Sequence, residues 1–77
     1  METTVLVFGQ LADITKTEKL SFKNISNTDE LVTKLENQFP QFATASYTIA
    51  VNKKVINENT LLQQDSTVAF LPPFSGG

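Results

Sequence analysis

The residues best placed to do chemistry stand at the end of the sequence, Pro72-Pro73-Phe74-Ser75-Gly76-Gly77, with a free carboxylate expected on Gly77. Gly76 and Gly77 lack a Cβ, so their backbone can enter a narrow passage that any side chain would block. The two prolines remove two backbone donors and fix φ, which ends a strand ladder and favours an extended path away from the folded body. A Gly-Gly end alone often marks nothing more than a frayed terminus. On a stiff arm behind a small fold it becomes a presented carboxyl group. Elsewhere the composition excludes most catalytic machinery. The 77 residues contain no histidine and no cysteine, so no Ser-His or Cys-His pair, no imidazole base, no thiolate metal site and no disulfide can be built.

Charge and length narrow the classes further. Eight acids against six lysines leave a net charge of −2, and there is no arginine, so a nucleic-acid groove is not expected. The longest apolar run, Val5-Leu6-Val7-Phe8, is far too short to span a membrane. The chain is therefore expected to be soluble and cytoplasmic, with one small domain over residues 1–71 and a tail over 72–77. Only about 60% of the unfolded surface is buried in a domain of this size, so the core must be economical.

The elements that must position the tail follow from periodicity. Thr4 to Phe8 is β-branched and apolar and reads as a strand closed by Gly9. Leu11 to Thr17 reads as a polar connection, and Glu18 to Phe22 alternates as a half-buried hairpin partner. Ser26-Asn27-Thr28-Asp29-Glu30 is a helix start, with Asn27 as cap and Glu30 reaching back. Leu31, Leu35 and Phe39 follow at helical spacing with Val32 alongside, and Pro40 stops the helix at Phe39. Tyr47 to Val51 is a third strand, Asn52-Lys53-Lys54 a turn and Val55-Ile56 a short fourth strand. Leu61-Leu62 is expected to dip into the core from a single helical turn, before a last strand over Thr67 to Leu71. This order predicts an α+β domain with a mixed sheet of four to five strands on one main helix, a β-grasp if the first and last strands pair in the middle.

Strand alternation also predicts a partner surface. Leu6 and Phe8 share one face, opposite Val5 and Val7, and Ala69 and Leu71 lie opposite Val68 and Phe70. Only one face can meet a lone helix, so the other is an apolar docking surface unless loops 41–46 or 57–64 cover it. Alternation alone does not say which face is which. Phe74 is expected to anchor in a partner's groove. Leu6, Phe8, Leu71 and Phe74 are thus the interface candidates. Lys53-Lys54 reads as a solvated hairpin tip.

The segment Val68-Ala69-Phe70-Leu71-Pro72-Pro73-Phe74-Ser75-Gly76-Gly77 resembles the C-terminus of the small subunits of molybdopterin synthase, which are ubiquitin-like sulfur carriers of the β-grasp superfamily. The similarity extends to Val5 through Leu11 and to Ala50-Val51-Asn52, covering essentially the whole chain. The resemblance implies that Gly77 carries the reactive atom, that Gly76 and Ser75 give access, and that Pro72, Pro73 and Phe74 present it. It implies an ATP-dependent activating enzyme that adenylates Gly77 and a sulfur donor that displaces AMP to leave a thiocarboxylate. It also implies a large subunit in which that sulfur passes to a cyclic pyranopterin precursor. No bound cofactor, nucleic acid or membrane is expected; the isolated chain is expected to be a monomer and the synthase a heterotetramer. Three other readings stay open at this point: a thiamine-pathway carrier, a ubiquitin-like modifier that conjugates to lysines, and a β-grasp interaction module with an incidental Gly-Gly end.

Overall fold

The main helix begins where its donors are captured. In the computed structural model, which describes residues 2–73, the Asn27 side chain accepts the Glu30 N–H at 2.8 Å, and the Glu30 carboxylate reaches back to the Ser26 N–H at 2.8 Å. This reciprocal pair satisfies two groups that a helix end leaves open. Helix α2 then runs from Thr28 to Gln38 and stops at Phe39, ahead of Pro40. Its inward residues Leu31 and Leu35 are fully buried.

The strands are β1 (Glu2–Val7), β2 (Lys19–Lys23), β3 (Thr48–Val51), β4 (Lys54–Ile56) and β5 (Thr67–Leu71). They form one mixed sheet in the order β2-β1-β5-β3-β4, with β1 and β5 parallel and every other pairing antiparallel. The first and last strands therefore lie together near the middle, and α2 crosses one face, which completes the β-grasp. Asn52 and Lys53 make the β3–β4 turn with positive φ of 49° and 72°, the backbone twist that a tight two-residue hairpin needs.

The core lies between that face and α2. Val5, Val7, Val68 and Phe70 from the two central strands meet Leu31, Leu35, Ile25, Phe42 and Leu62. Three aromatic rings close one end: Phe42 and Tyr47 stand edge-on to Phe70, with centroids at 5.8 and 5.1 Å. That geometry suits the ring quadrupoles.

Two expectations need correction. The stretch read as a polar connection holds a short helix, α1 (Leu11–Thr15), which buries Leu11 and Thr15 and ends on Lys16 with φ of 64°. Five residues are too few for a periodic pattern to declare itself, and the Leu11/Ile14/Thr15 spacing was its only trace. Leu61-Leu62 forms no helical turn. Leu61 bridges to Asn27, and the Thr60 and Leu62 N–H groups donate to Thr28 Oγ1 and the Ser26 carbonyl at 2.9 Å each. Those donors are spent on the segment that leads into α2, so none closes a local turn. Leu62 does enter the core, while Leu61 is 78% exposed. A 3-10 turn at Pro40–Ala43, within the loop expected after the helix, carries Phe42 inward.

Candidate functional site

Face assignment is settled by burial. Val5, Val7, Val68 and Phe70 are at most 1% exposed against the helix. Leu6, Phe8, Ala69 and Leu71 consequently point to the other side. Across the strands, Leu6 pairs with Ala69, Ala69 with Ala50 and Ala50 with Val55, giving one continuous apolar row over four strands. Phe8, 44% exposed, and Leu71 extend this row toward the end of β5. The row floors a shallow concavity of about 570 Å³. Loops 41–46 and 57–64 do not cover it. They contribute Phe42 and Leu62 to the core on the helix side. Small Ala50 and Ala69 at the centre, between larger Leu6 and Val55, make the surface concave rather than flat. Lys53 borders the concavity; both Lys53 and Lys54 are exposed.

The arm starts at the edge of this face. On one side of β5 the ladder reaches its last strand residue, where Leu71 pairs with Thr48. On the other, the Phe8 N–H donates to the Phe70 carbonyl at 3.1 Å, extending the parallel register one residue past β1. Pro72 and Pro73 then offer no donor. Pro72 packs on Gly9, whose φ is +59°, and a Cβ at Gly9 would lie 2.9 Å from Pro72 Cγ. The bare backbone of Gly9 is thus the seat on which the arm leaves the sheet. Sequence reading took Gly9 only as the close of a strand. Its contact with Pro72, sixty-three positions away by subtraction (72 − 9), has no local signature. Pro73 is exposed and lies beside Gln10, Leu11 and Ile14 of the α1 region and Ala45 and Ser46. Phe74, Ser75, Gly76 and Gly77 fall outside the described residues.

Other features are structural. The Asn52 side chain accepts the Thr67 N–H at 2.9 Å, and its own N–H donates to the Thr67 carbonyl at 2.7 Å, clamping the far end of the face. Asn59 accepts the Asp29 N–H at 2.9 Å and the Thr28 hydroxyl at 3.3 Å, a second cap on α2. Tyr47 has its phenol held above the ordinary value of 10.0, first by burial and then by the nearby Glu36 carboxylate. It belongs to the aromatic cluster with Phe42 and Phe70. Among the described residues no three acidic side chains converge as a metal site would need, and no helix is long and apolar enough to cross a membrane.

One family model matches the chain over residues 5–77. The chain belongs to the ThiS family. Solved structures agree with the fold. This ThiS-family chain is similar to the small archaeal modifier protein 1 of Methanosarcina acetivorans, with a TM-score of 0.85 and 22% identity over 99% of this chain and 96% of that one. It is similar to the Haloferax volcanii protein of the same name, with a TM-score of 0.83 and 13% identity over 100% of both. A chain in the protein–protein complex of subunits 1 and 2 of the molybdopterin-converting factor from Helicobacter pylori 26695 matches with a TM-score of 0.75 and 29% identity, over 100% of both chains. The chain is thus a β-grasp of the ubiquitin-like, sulfur-carrier type.

Proposed function

We propose that this chain is the sulfur-carrier small subunit of a molybdopterin synthase, with Gly77 as its working end. The observation that carries the reading is the union of body and tail: the family match runs from residue 5 to residue 77, through the central strands and the Gly-Gly end alike. The Phe70-Leu71-Pro72-Pro73-Phe74 lead-in and the likeness to a chain from a converting-factor complex favour the molybdopterin branch.

The chemistry suits a protein without catalytic side chains. A C-terminal carboxylate, with a pKa of about 3.5, is ionised at neutral pH and a poor electrophile. An activating enzyme transfers AMP from ATP to the Gly77 carboxylate, releasing pyrophosphate and leaving a mixed anhydride. A sulfide-level donor attacks the acyl carbon, AMP leaves, and a thiocarboxylate results. Inside a larger catalytic subunit that sulfur attacks the cyclic pyranopterin precursor, and hydrolysis returns the Gly77 carboxylate. The apolar face of Leu6, Ala69, Ala50 and Val55 docks the body on each partner in turn. The Pro72-Pro73 arm directs residues 74–77 into the partner's active site, with Phe74 as anchor and Gly76 slim enough to pass.

The test is intact mass spectrometry after incubation with ATP, a sulfide source and the host's adenylating enzyme. A mass gain equal to one oxygen replaced by sulfur, located at Gly77, is expected, as is conversion of the pterin precursor once the large subunit is added. Thiolation followed by transfer only to a thiazole-forming enzyme would move the chain to the thiamine branch. Isopeptide conjugates without thiolation would make it a modifier. Full function of a Gly77→Ala variant would overturn the carrier reading altogether.

A further inference from the structure

The arm does not clear the body at Pro72. Beyond the seat on Gly9, Pro73 lies beside Gln10, Leu11 and Ile14 of the α1 region and Ala45 and Ser46. These residues wall a groove of about 500 Å³ at the root of the arm. Main-chain bonds hold its sides in place. The Leu11, Ala12 and Asp13 N–H groups donate to the Phe8, Gly9 and Gln10 carbonyls at 3.2, 3.0 and 3.1 Å, and the Ala45 N–H donates to the Phe42 carbonyl at 3.3 Å. Leu11 belongs to the core, while Ile14 and Ala45 pack against it and remain half-buried. Part of their apolar surface is therefore left for something else to cover.

The lining carries no charged side chain, which suits an uncharged, apolar occupant. Position narrows the choice to one residue. Pro73, the last of the described residues, stands on the rim, and the next in sequence is Phe74. Two successive prolines hold φ near one value, so the course of the arm is set before it reaches Phe74. The four remaining residues span at most about 14 Å when extended, and Phe74 is the only one of them with an apolar side chain. The ring thus starts beside an apolar groove, with no loop to close before it reaches it. The groove shares no lining residue with the apolar face of Leu6, Ala69, Ala50 and Val55.

We propose that the Phe74 ring occupies this groove in the free chain and leaves it only when a partner takes the tail. The contact stands on the groove and the place of Phe74 in the chain; its consequence for Gly77 rests on the carrier reading. A partner docks first on the apolar face, which the seated ring leaves bare, and then wins Phe74 for its own pocket. Half-burying a phenyl side chain biases the free chain about three- to tenfold toward the seat. Apparent affinity for the tail falls by the same factor. A bias of that size holds the end of the chain back from casual encounters without barring a partner that offers a deeper pocket.

The experiment is solution NMR of the isotope-labelled full chain, wild type beside Phe74→Ala. Nuclear Overhauser contacts are expected between the Phe74 ring and the methyl groups of Leu11, Ile14 and Ala45, and those methyl signals should move when the ring is removed. Ile14→Asp places a charge in the groove and should empty it. The adenylating enzyme's KM for this chain should then fall about three- to tenfold, with kcat unchanged. Ser46→Asp on the exposed rim should act in the same direction and repeats the test if the Ile14 variant does not fold. Absent ring contacts, methyl signals indifferent to Phe74→Ala, or an unchanged KM in a folded groove variant would each overturn the proposal. So would contacts that vanish on dilution, which would assign the groove to the tail of a second copy. Ring contacts in a wild-type chain that is never adenylated would instead remove the carrier reading and leave the seat standing.

Discussion

Gly9→Ala tests how the arm is seated on the sheet. The new Cβ forces an alanine into the left-handed region at φ of +59°, which costs about 1–2 kcal/mol. It also arrives 2.9 Å from Pro72 Cγ, where ordinary contact begins at 3.4 Å, so the proline ring must retreat by at least 3.4 − 2.9 = 0.5 Å. Overpacking of this kind adds about 1 kcal/mol where the neighbour can give, as a ring at the start of an arm can. The total is about 2–3 kcal/mol, against about 4–11 kcal/mol of stability for 77 residues at ordinary per-residue values. The midpoint of urea unfolding should fall with the slope unchanged, and Tm should drop by about 4–8 °C per kcal/mol. Pro72→Ala made alone and on top of Gly9→Ala separates the two contributions, because it removes the clash and leaves the φ penalty. The double-mutant cycle should return a coupling of about 1 kcal/mol. A loss below about 0.5 kcal/mol for Gly9→Ala, or no coupling to Pro72, would refute the claim that Gly9 backbone seats the arm.

Phe70→Ala should cost about 3–5 kcal/mol and leave the domain largely unfolded by circular dichroism; the ring is wholly buried between Phe42 and Tyr47, and a Tm near wild type would contradict that packing. Asn59→Ala removes the second cap of α2 and should lose about 1 kcal/mol in urea unfolding, with a loss indistinguishable from zero meaning that Asn27 alone holds the helix start. Tyr47 gives a pH signature whose sign follows from its raised folded pKa: its contribution is complete below the unfolded value of 10.0 and is lost as pH rises from there through the folded value. Stability should therefore fall on the alkaline side above that point, and Tyr47→Phe should flatten the fall; an unchanged slope would remove Tyr47 as its source.

Much of the fold was legible because its strongest signals are local. The Asn27/Glu30 reciprocal cap, the Leu31/Leu35 stripe and the Phe39-Pro40 stop each depend on neighbours within a turn, and each stands where it was expected. The Thr67–Leu71 strand and the break at Pro72 are equally local, since proline carries no donor. The misreadings share the opposite property. Whether Leu61-Leu62 coils or runs straight depends on Ser26 and Thr28 more than thirty positions earlier, which take up its donors. Leu11–Thr15 is helical over a span too short for periodicity, held by the burial of Leu11 and Thr15.

The sequence by itself determined what side-chain chemistry is excluded: without histidine or cysteine there is no imidazole base and no thiolate. It also determined that the central strands have two apolar faces, because Val5 to Phe8 and Val68 to Leu71 leave no polar side. Only the tertiary structure decided which face is free. The helix could cover either, and the choice rests on the sum of contacts that bury Val5, Val7, Val68 and Phe70 to at most 1% exposure and leave Leu6, Phe8, Ala69 and Leu71 outside. It alone brought Gly9 beneath Pro72, because parallel pairing of β1 with β5 sets the two strand ends side by side. Alternation is a property of one strand, whereas burial is a property of everything packed against it.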